Sequence, residues 1–328
     1  MPEKTNDFIS LPETHQQIIH LAQEKYNIKI VLLRKLVGGW SGAYVFLASV
    51  SSNEANRVEH CILKLDRKGK FAKDDEITRH NAVLSGSPPG FAGKYVPELA
   101  FDRIEHEGVI AIFYRIAGQS LFKFRPLSSF DHQNQLVIIM KETYRILLSE
   151  WNANLTFEQG LHPQKILEKW LGFRLKQGGN IENYLHNNCK VTPDIPGFLI
   201  NGTVFPNPLS YARHLAQWDD ARQIDVATGF LHRDLNTNNI LVRFSEKEEK
   251  LDGYYLIDFA LFKDGMPLFY DQRYLEMSYM MHTLSQVSFA KIISFLTLIA
   301  ETDLVNSQLV PIEMSGVGAV MASARDAF

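Results

Sequence analysis

The chain has 328 residues, 45% of them hydrophobic and 22% charged, with a formal net charge of −3. That length admits one to three domains with ordinary globular cores, and the near-neutral charge excludes strong non-specific attraction to nucleic acid or an anionic membrane. Cys61 and Cys189 form no CxxC pair and no metal-ligand cluster, and Met1–Asp7 lacks an apolar secretory core, so the cytoplasm is the expected compartment.

In chain order, Ser10-Leu11-Pro12-Glu13 has the form of a capping box with proline just inside a helix start. The helix is expected to reach about Tyr26, with Ile18, Ile19, Leu21 and Ala22 as its apolar stripe. Strands are expected near 28–37, 43–50, 58–66, 96–102 and 109–116, with a helix at 70–84 among them. Between the first two strands lies Val37-Gly38-Gly39-Trp40-Ser41-Gly42-Ala43. Glycine clusters usually mark an ordinary hairpin, but they also let backbone N–H groups approach a phosphate closely. The third strand, His60-Cys61-Ile62-Leu63-Lys64-Leu65-Asp66, contains a lysine that is expensive to bury unless paired, or else lies on an exposed edge. The helix after it offers Asp74, Asp75 and Glu76; Glu76 has the reach, whereas Asp74 and Asp75 suit a solvated first turn. Ser85–Gly93, with Pro88-Pro89-Gly90, reads as a turn cluster.

After residue 120 the pattern turns helical, at about 130–152, 162–176, 208–224, 271–285, 287–302 and 305–327. Residues 177–207 read as loop-rich. The apolar run Val287–Ala300 is interrupted by Lys291 and falls short of the ~20 residues a membrane span needs, which favours a buried helix. Trp218-Asp219-Asp220 could recognise a cationic acceptor with its carboxylates, but ordinary helix surface is the favoured reading; Ser245–Lys250 reads as the solvated turn of a hairpin. Asp271 could orient the Leu231–Leu241 loop or cap the helix that follows it, and the cap is the favoured reading. The densest pattern is Leu231-His232-Arg233-Asp234-Leu235-Asn236-Thr237-Asn238-Asn239-Ile240-Leu241, followed by the apolar strand Tyr254-Tyr255-Leu256-Ile257-Asp258-Phe259.

An H-x-D-x-x-x-x-N loop followed by a strand ending in Asp-Phe resembles the catalytic signature of the protein-kinase-like superfamily, and more closely its aminoglycoside phosphotransferase and choline kinase branch. The resemblance covers about residues 28 to 300 and is carried by the glycine loop, Lys64, Tyr114–Leu121, His232–Leu241 and Ile257-Asp258-Phe259. It implies an α+β, bilobal protein-kinase-like fold: a small antiparallel sheet with one helix over 1–117, and a larger, mostly helical lobe over 118–328 holding an acceptor-binding insert at about 121–230. The two lobes would share one cleft.

The resemblance implies ATP and Mg²⁺ as cofactors. Gly38, Gly39, Ser41 and Gly42 would meet the phosphates; Lys64, paired with Glu76, would reach the α- and β-phosphates; backbone near Tyr114, Arg115 and Ile116 would meet adenine. Asp234 would be the catalytic base, Asn239 and Asp258 the metal ligands, and His232 a brace for the loop. Ala260 stands where the family pattern has glycine, which puts a mobile Phe259 switch in doubt. Arg233 is the protein-kinase letter, while Asn236, the long insert and the lack of an Ala-Pro-Glu motif suit small-molecule kinases. The runs Gly39–Leu47 and Asn207-Pro208-Leu209 are also similar to kinase-like modules of bacterial conflict and signalling proteins. The expected function is γ-phosphoryl transfer from ATP to a hydroxyl of a small molecule, with a protein acceptor second, and with no nucleic acid or membrane partner. A catalytically silent nucleotide-binding regulatory module and an AMP transferase on the same fold are the alternatives.

Overall fold

The computed structural model describes residues 11–36, 42–52, 58–67, 76–116, 124–200, 202–213, 222–284, 287–288, 290–295 and 317–321. In chain order its elements are α1 (Glu13–Tyr26), β1 (Ile28–Leu36), β2 (Tyr44–Ser52), β3 (Val58–Arg67), α2 (Glu76–Gly86), α3 (Pro89–Tyr95), β4 (Ile104–His106), β5 (Val109–Arg115), β6 (Arg125–Pro126), α4 (Gln133–Arg145), β7 (Thr156–Leu161), α5 (Pro163–Leu175), α6 (Asn180–Tyr184), β8 (Gly197–Ile200), β9 (Thr203–Pro206), α7 (Pro208–Arg213), β10 (Ile224–Leu231), β11 (Ile240–Ser245), β12 (Lys250–Leu256), β13 (Lys263–Pro267) and α8 (Tyr270–Thr283). The fold is α+β and divides into two compact units, one of residues 1–130 with 238–261, the other of 131–237 with 262–328.

In the first unit a five-stranded antiparallel sheet runs in the order β1-β2-β3-β5-β4. Alternation along its strands gives it two different faces. Phe46, Ala48, Val50, Cys61, Leu63, Leu65, Ala111 and Phe113 point one way and bury Ile18, Ile19 and Ala22 of α1. Ile110 and Ile112 point the other way and meet Ile77 of α2. Lys64 lies opposite Ile112 in the β3–β5 register, in the row that faces α2. It is 8% exposed on an interior strand, which removes the edge-strand reading.

Several local expectations need correction. Pro12 occupies the N-cap of α1 itself and no side chain caps that end; Ser10 lies outside the described residues. The Pro88-Pro89-Gly90 cluster starts a helix, because proline's fixed φ and missing N–H cost nothing at the first helical turn. No strand forms over 96–102 beyond a single bridge from Leu99 to Tyr114. The turn into β5 falls later, at Glu107-Gly108, where both residues adopt left-handed φ (47° and 74°) and fix a tight hairpin with β4. A second sheet, β12-β11-β6, completes the unit, and Tyr95 of α3 meets Tyr254 of β12 edge to face at 5.7 Å.

In the second unit α4 buries Leu136, Ile139, Met140, Thr143 and Tyr144, the i, i+3, i+4, i+7 stripe of an amphipathic helix. It passes into a π-helical turn, Ile146–Trp151. Trp151 packs parallel to Phe230 and Phe262 at centroid distances of 6.1 Å each. Buried Asn152 accepts from Phe230 N (2.7 Å) and donates to Leu147 O and Phe230 O. A Cβ on Gly229 would fall 2.1 Å from Asn152 Oδ1, which is why the strand leading into the Leu231–Leu241 loop carries glycine there. That strand, β10, is the centre of a three-stranded sheet, β13-β10-β7. The expected helix over 208–224 is described only as Pro208–Arg213, and the chain is already extended at Ile224. Within the loop-rich stretch 177–207 lie α6 and the β8–β9 hairpin. Asn207, fully buried, donates to Thr192 O and Ile195 O and accepts from Leu209 N, so it caps α7 with Pro208 at the first helical position. No helix among the described residues is long and apolar enough to cross a membrane.

Candidate functional site

In the first unit, β3, β5, α2 and the end of β12 bring four polar side chains together. Lys64 Nζ lies 2.6 Å from Glu76 Oε2 and 3.4 Å from Asp258 Oδ1. Tyr114 donates its hydroxyl to the other Glu76 oxygen at 2.6 Å. The Lys64 and Glu76 side chains are about one-tenth exposed, whereas Asp258 is 38% exposed. Burial by itself would lower the Lys64 pKa, but Glu76 and Asp258 outweigh it and hold the ammonium well above its ordinary range. Burial raises the Glu76 carboxyl against the opposing pull of Lys64. Burial, then the Glu76 charge, pushes the Tyr114 phenol up, so that it remains a donor.

Asp258 is held with φ at +64°, a left-handed conformation rare outside glycine, asparagine and aspartate. The neighbouring contacts fix it there. Ile257 N donates to Asn239 O at 3.0 Å, Phe259 is fully buried with its ring 5.7 Å from that of His80, and Arg79 donates to Ala260 O. A Phe259 packed in this way fits the departure at Ala260. Because Ile240 pairs with Leu256, Asn239 and Asp258 emerge from the same end of the β11–β12 hairpin. An amide and a carboxylate so placed are a hard-oxygen donor set of the kind Mg²⁺ takes. Among the described residues no cluster of three or more His, Cys, Asp or Glu could hold a metal, so phosphate and water oxygens would have to complete any such coordination.

The remaining nucleotide-side expectations are placed unevenly. Gly42 has φ +75° with open space where a Cβ would be, while Gly38, Gly39 and Ser41 lie outside the described residues. The Tyr114 hydroxyl is committed to Glu76 and the Arg115 N–H to Glu98 O (2.8 Å). Asp74 and Asp75, the other candidates for Lys64, also lie outside the described residues, as does Trp218-Asp219-Asp220.

In the second unit the Asp234 loop is braced from beneath. His232 is fully buried and its Nδ1 accepts from Asp234 N at 3.3 Å. Arg233 takes φ +66°, and Asp271 holds it in that conformation by accepting from His232 N (2.6 Å) and Arg233 N (2.8 Å). This corrects the expectation for Asp271: it orients the loop and does not cap α8, whose N-cap is Phe269, itself at φ +72° with no side-chain cap bond. Both Asp271 oxygens are consumed by amides that would otherwise be buried without acceptors, while burial raises its carboxyl. Asn236 closes the turn with N–H and amide bonds to Asp234 O.

Tyr274, one helical turn after Tyr270, donates its hydroxyl to Asp234 Oδ1 at 3.0 Å. Its phenol is raised by burial and then by the Asp234 charge. Sequence reasoning missed this residue; the one available signal was its spacing from Asp271, which places it on an adjacent turn of α8. Two guanidiniums, those of Arg174 and Arg233, are each centred 5.1 Å from the Phe173 ring, and that of Arg174 also lies 5.6 Å from the Tyr274 ring. What this half can do chemically is present one carboxylate, fixed in direction by a tyrosine hydroxyl and by a rigid backbone, as a hydrogen-bond acceptor.

No family model matches the chain, and no curated protein does. Among solved structures it is similar to an aminoglycoside-3′-phosphotransferase of type VIII, at 11% identity and TM-score 0.44, over 95% of this chain and 100% of that one. It is also similar to a candidate aminoglycoside phosphotransferase from Ralstonia eutropha (13% identity, TM-score 0.40, covering 94% and 80%). A third similar structure is a spectinomycin phosphotransferase in complex with ADP and spectinomycin (14% identity, TM-score 0.36, covering 95% and 93%).

Proposed function

We propose that this protein is an ATP- and Mg²⁺-dependent phosphotransferase acting on a hydroxyl group. The observation that carries the reading is the buried Lys64–Glu76 pair with the Asp258 carboxylate 3.4 Å from the same ammonium. A permanently charged lysine kept at low exposure, next to a more exposed carboxylate on a strained backbone, suits a polyanion whose charge is shared between an ammonium and a divalent cation.

In this reading Lys64 binds the triphosphate as a point charge, and Glu76 with Tyr114 fixes where that charge sits. Asn239 and Asp258 would hold Mg²⁺, which when bound neutralises phosphate oxygens. Asp234 accepts the hydrogen bond of the acceptor hydroxyl and aims its oxygen; Tyr274 and the Asp271-braced loop keep that carboxylate in one orientation. Transfer needs this positioning more than covalent help from the protein.

The test is transfer of label from [γ-³²P]ATP to a panel of hydroxyl compounds by the purified protein, compared with Asp234→Asn. Loss of a positioned general base costs about 10²–10⁴-fold in rate; that loss, with nucleotide affinity retained, is the expected result. Equal transfer by the variant removes Asp234 from the role. Label appearing only from [α-³²P]ATP would replace phosphoryl with AMP transfer.

A further inference from the structure

We propose that the acceptor is an anion, a hydroxyl compound carrying a phosphate or carboxylate that Arg174 binds beside Asp234. The inference rests on the reading of Asp234 as the residue that meets the acceptor. Its geometric basis is that the Tyr274 hydroxyl bonding Asp234 Oδ1 belongs to a ring that also lies 5.6 Å from the Arg174 guanidinium. Arg174 and Arg233 both lie over Phe173, which is 39% exposed, and Arg233 also donates to Trp170 O at 3.2 Å. The stack of Tyr270 on Tyr274, 5.7 Å apart, with Trp170 against Tyr270, fixes the wall to which Arg174 is applied.

The charge on this face follows from what each carboxylate is already doing. Asp271 is taken by two backbone amides. Glu276 is taken by Arg273 and the Tyr144 hydroxyl. Glu168 and Glu158 are paired with Lys165 and Lys169. Among the described residues no carboxylate is paired with Arg174, whose guanidinium lies 5.6 Å from the ring of the tyrosine that bonds Asp234. A polycationic acceptor brought to Asp234 would meet like charge at Arg174, which discriminates against it. An oxyanion would gain forked, charge-assisted hydrogen bonds.

The experiment is isothermal titration of wild type, Arg174→Gln, Arg174→Lys and Asp234→Asn, with and without Mg·ADP. The probes are glucose 6-phosphate, glycerol 3-phosphate, gluconate, uncharged glucose and a polycationic aminoglycoside. Expected is saturable binding of at least one anionic probe and none of glucose. Binding should weaken about tenfold or more in Arg174→Gln, be partly kept in Arg174→Lys, and be as tight or tighter in Asp234→Asn, where a like charge is removed. The inference is overturned if no anion binds more tightly than glucose, if Arg174→Gln binds as wild type does, or if the aminoglycoside is the tighter ligand. Anion binding through Arg174 in a protein that never transfers phosphate would uphold the Arg174 anion site but overturn the kinase reading, and with it the anion's role as acceptor. Transfer to an aminoglycoside undiminished by Arg174→Gln would do the reverse.

Discussion

Removing Lys64 should destabilise the protein more than a typical core substitution, and the structure allows the size to be worked. Two unit charges 2.6 Å apart, as in the Lys64–Glu76 pair, attract by about 6 kcal/mol at an effective dielectric constant near 20. Taking both ions out of water costs several kcal/mol each, so the intact pair contributes little net stability. Breaking it is different. Lys64→Met leaves the Glu76 carboxylate buried with the Tyr114 hydroxyl as its remaining partner among the described residues, which should cost ~3–5 kcal/mol. Glu76→Gln should cost less, about 2 kcal/mol, because the ammonium keeps Asp258 at 3.4 Å and the amide oxygen can still accept from Tyr114. In Lys64→Met/Glu76→Gln no buried charge is stranded, so the double variant should be more stable than Lys64→Met alone by at least ~2 kcal/mol. Urea unfolding of the four proteins closes this cycle. The folded state raises the Lys64 pKa, so its contribution is complete below the unfolded value near pH 10.4 and is lost as the pH climbs beyond it; the gap between wild type and Lys64→Met should therefore narrow only in that range. Single substitutions that each cost less than about 1 kcal/mol and simply add would refute a buried, coupled pair.

Asp271→Ala strands the buried amides of His232 and Arg233 at about 1–3 kcal/mol each and frees the strained Arg233 backbone. Its melting temperature should fall, and phosphoryl transfer should fall further than nucleotide affinity; Asp271→Asn, which still accepts one amide, should be milder on both measures. Burial lowers the His80 pKa to about 4, while the unfolded chain keeps about 6.5. A proton is then taken up on unfolding between those values, so stability should fall as the pH drops from about 6.5 to 4, by up to ~3 kcal/mol, and His80→Leu should lose that slope in thermal melts at graded pH.

Sequence reading works here where one residue contradicts its neighbours. Lys64 in an apolar strand asks for a carboxylate, and helix phase limits the donors to a few positions, so a partner at Glu76 is legible. The role of Asp271 is legible only as the less favoured of two alternatives, loop brace or helix cap. Thirty-eight residues separate it from Arg233, and whether it caps its own helix depends on Phe269 adopting a left-handed φ that no sequence rule assigns to phenylalanine. Tyr274 is not legible: its hydroxyl finds Asp234 only once α8 lies under the loop. The β-sheet core was legible because alternation is local; α3 was hidden because Pro88-Pro89-Gly90 serves a turn and a helix start equally well, and β4 because its hairpin turn, Glu107-Gly108, carries a residue that does not advertise a positive φ.

The most direct measurement is calorimetric titration of ATP into the wild-type protein and Asp258→Asn, each with and without Mg²⁺. A Mg²⁺-dependent phosphotransferase should bind ATP more tightly when the cation is present, and Asp258→Asn should abolish that gain while leaving the melting temperature of the unliganded protein within a degree or two. ATP affinity indifferent both to Mg²⁺ and to the substitution, or no ATP binding at all, would contradict the proposed function.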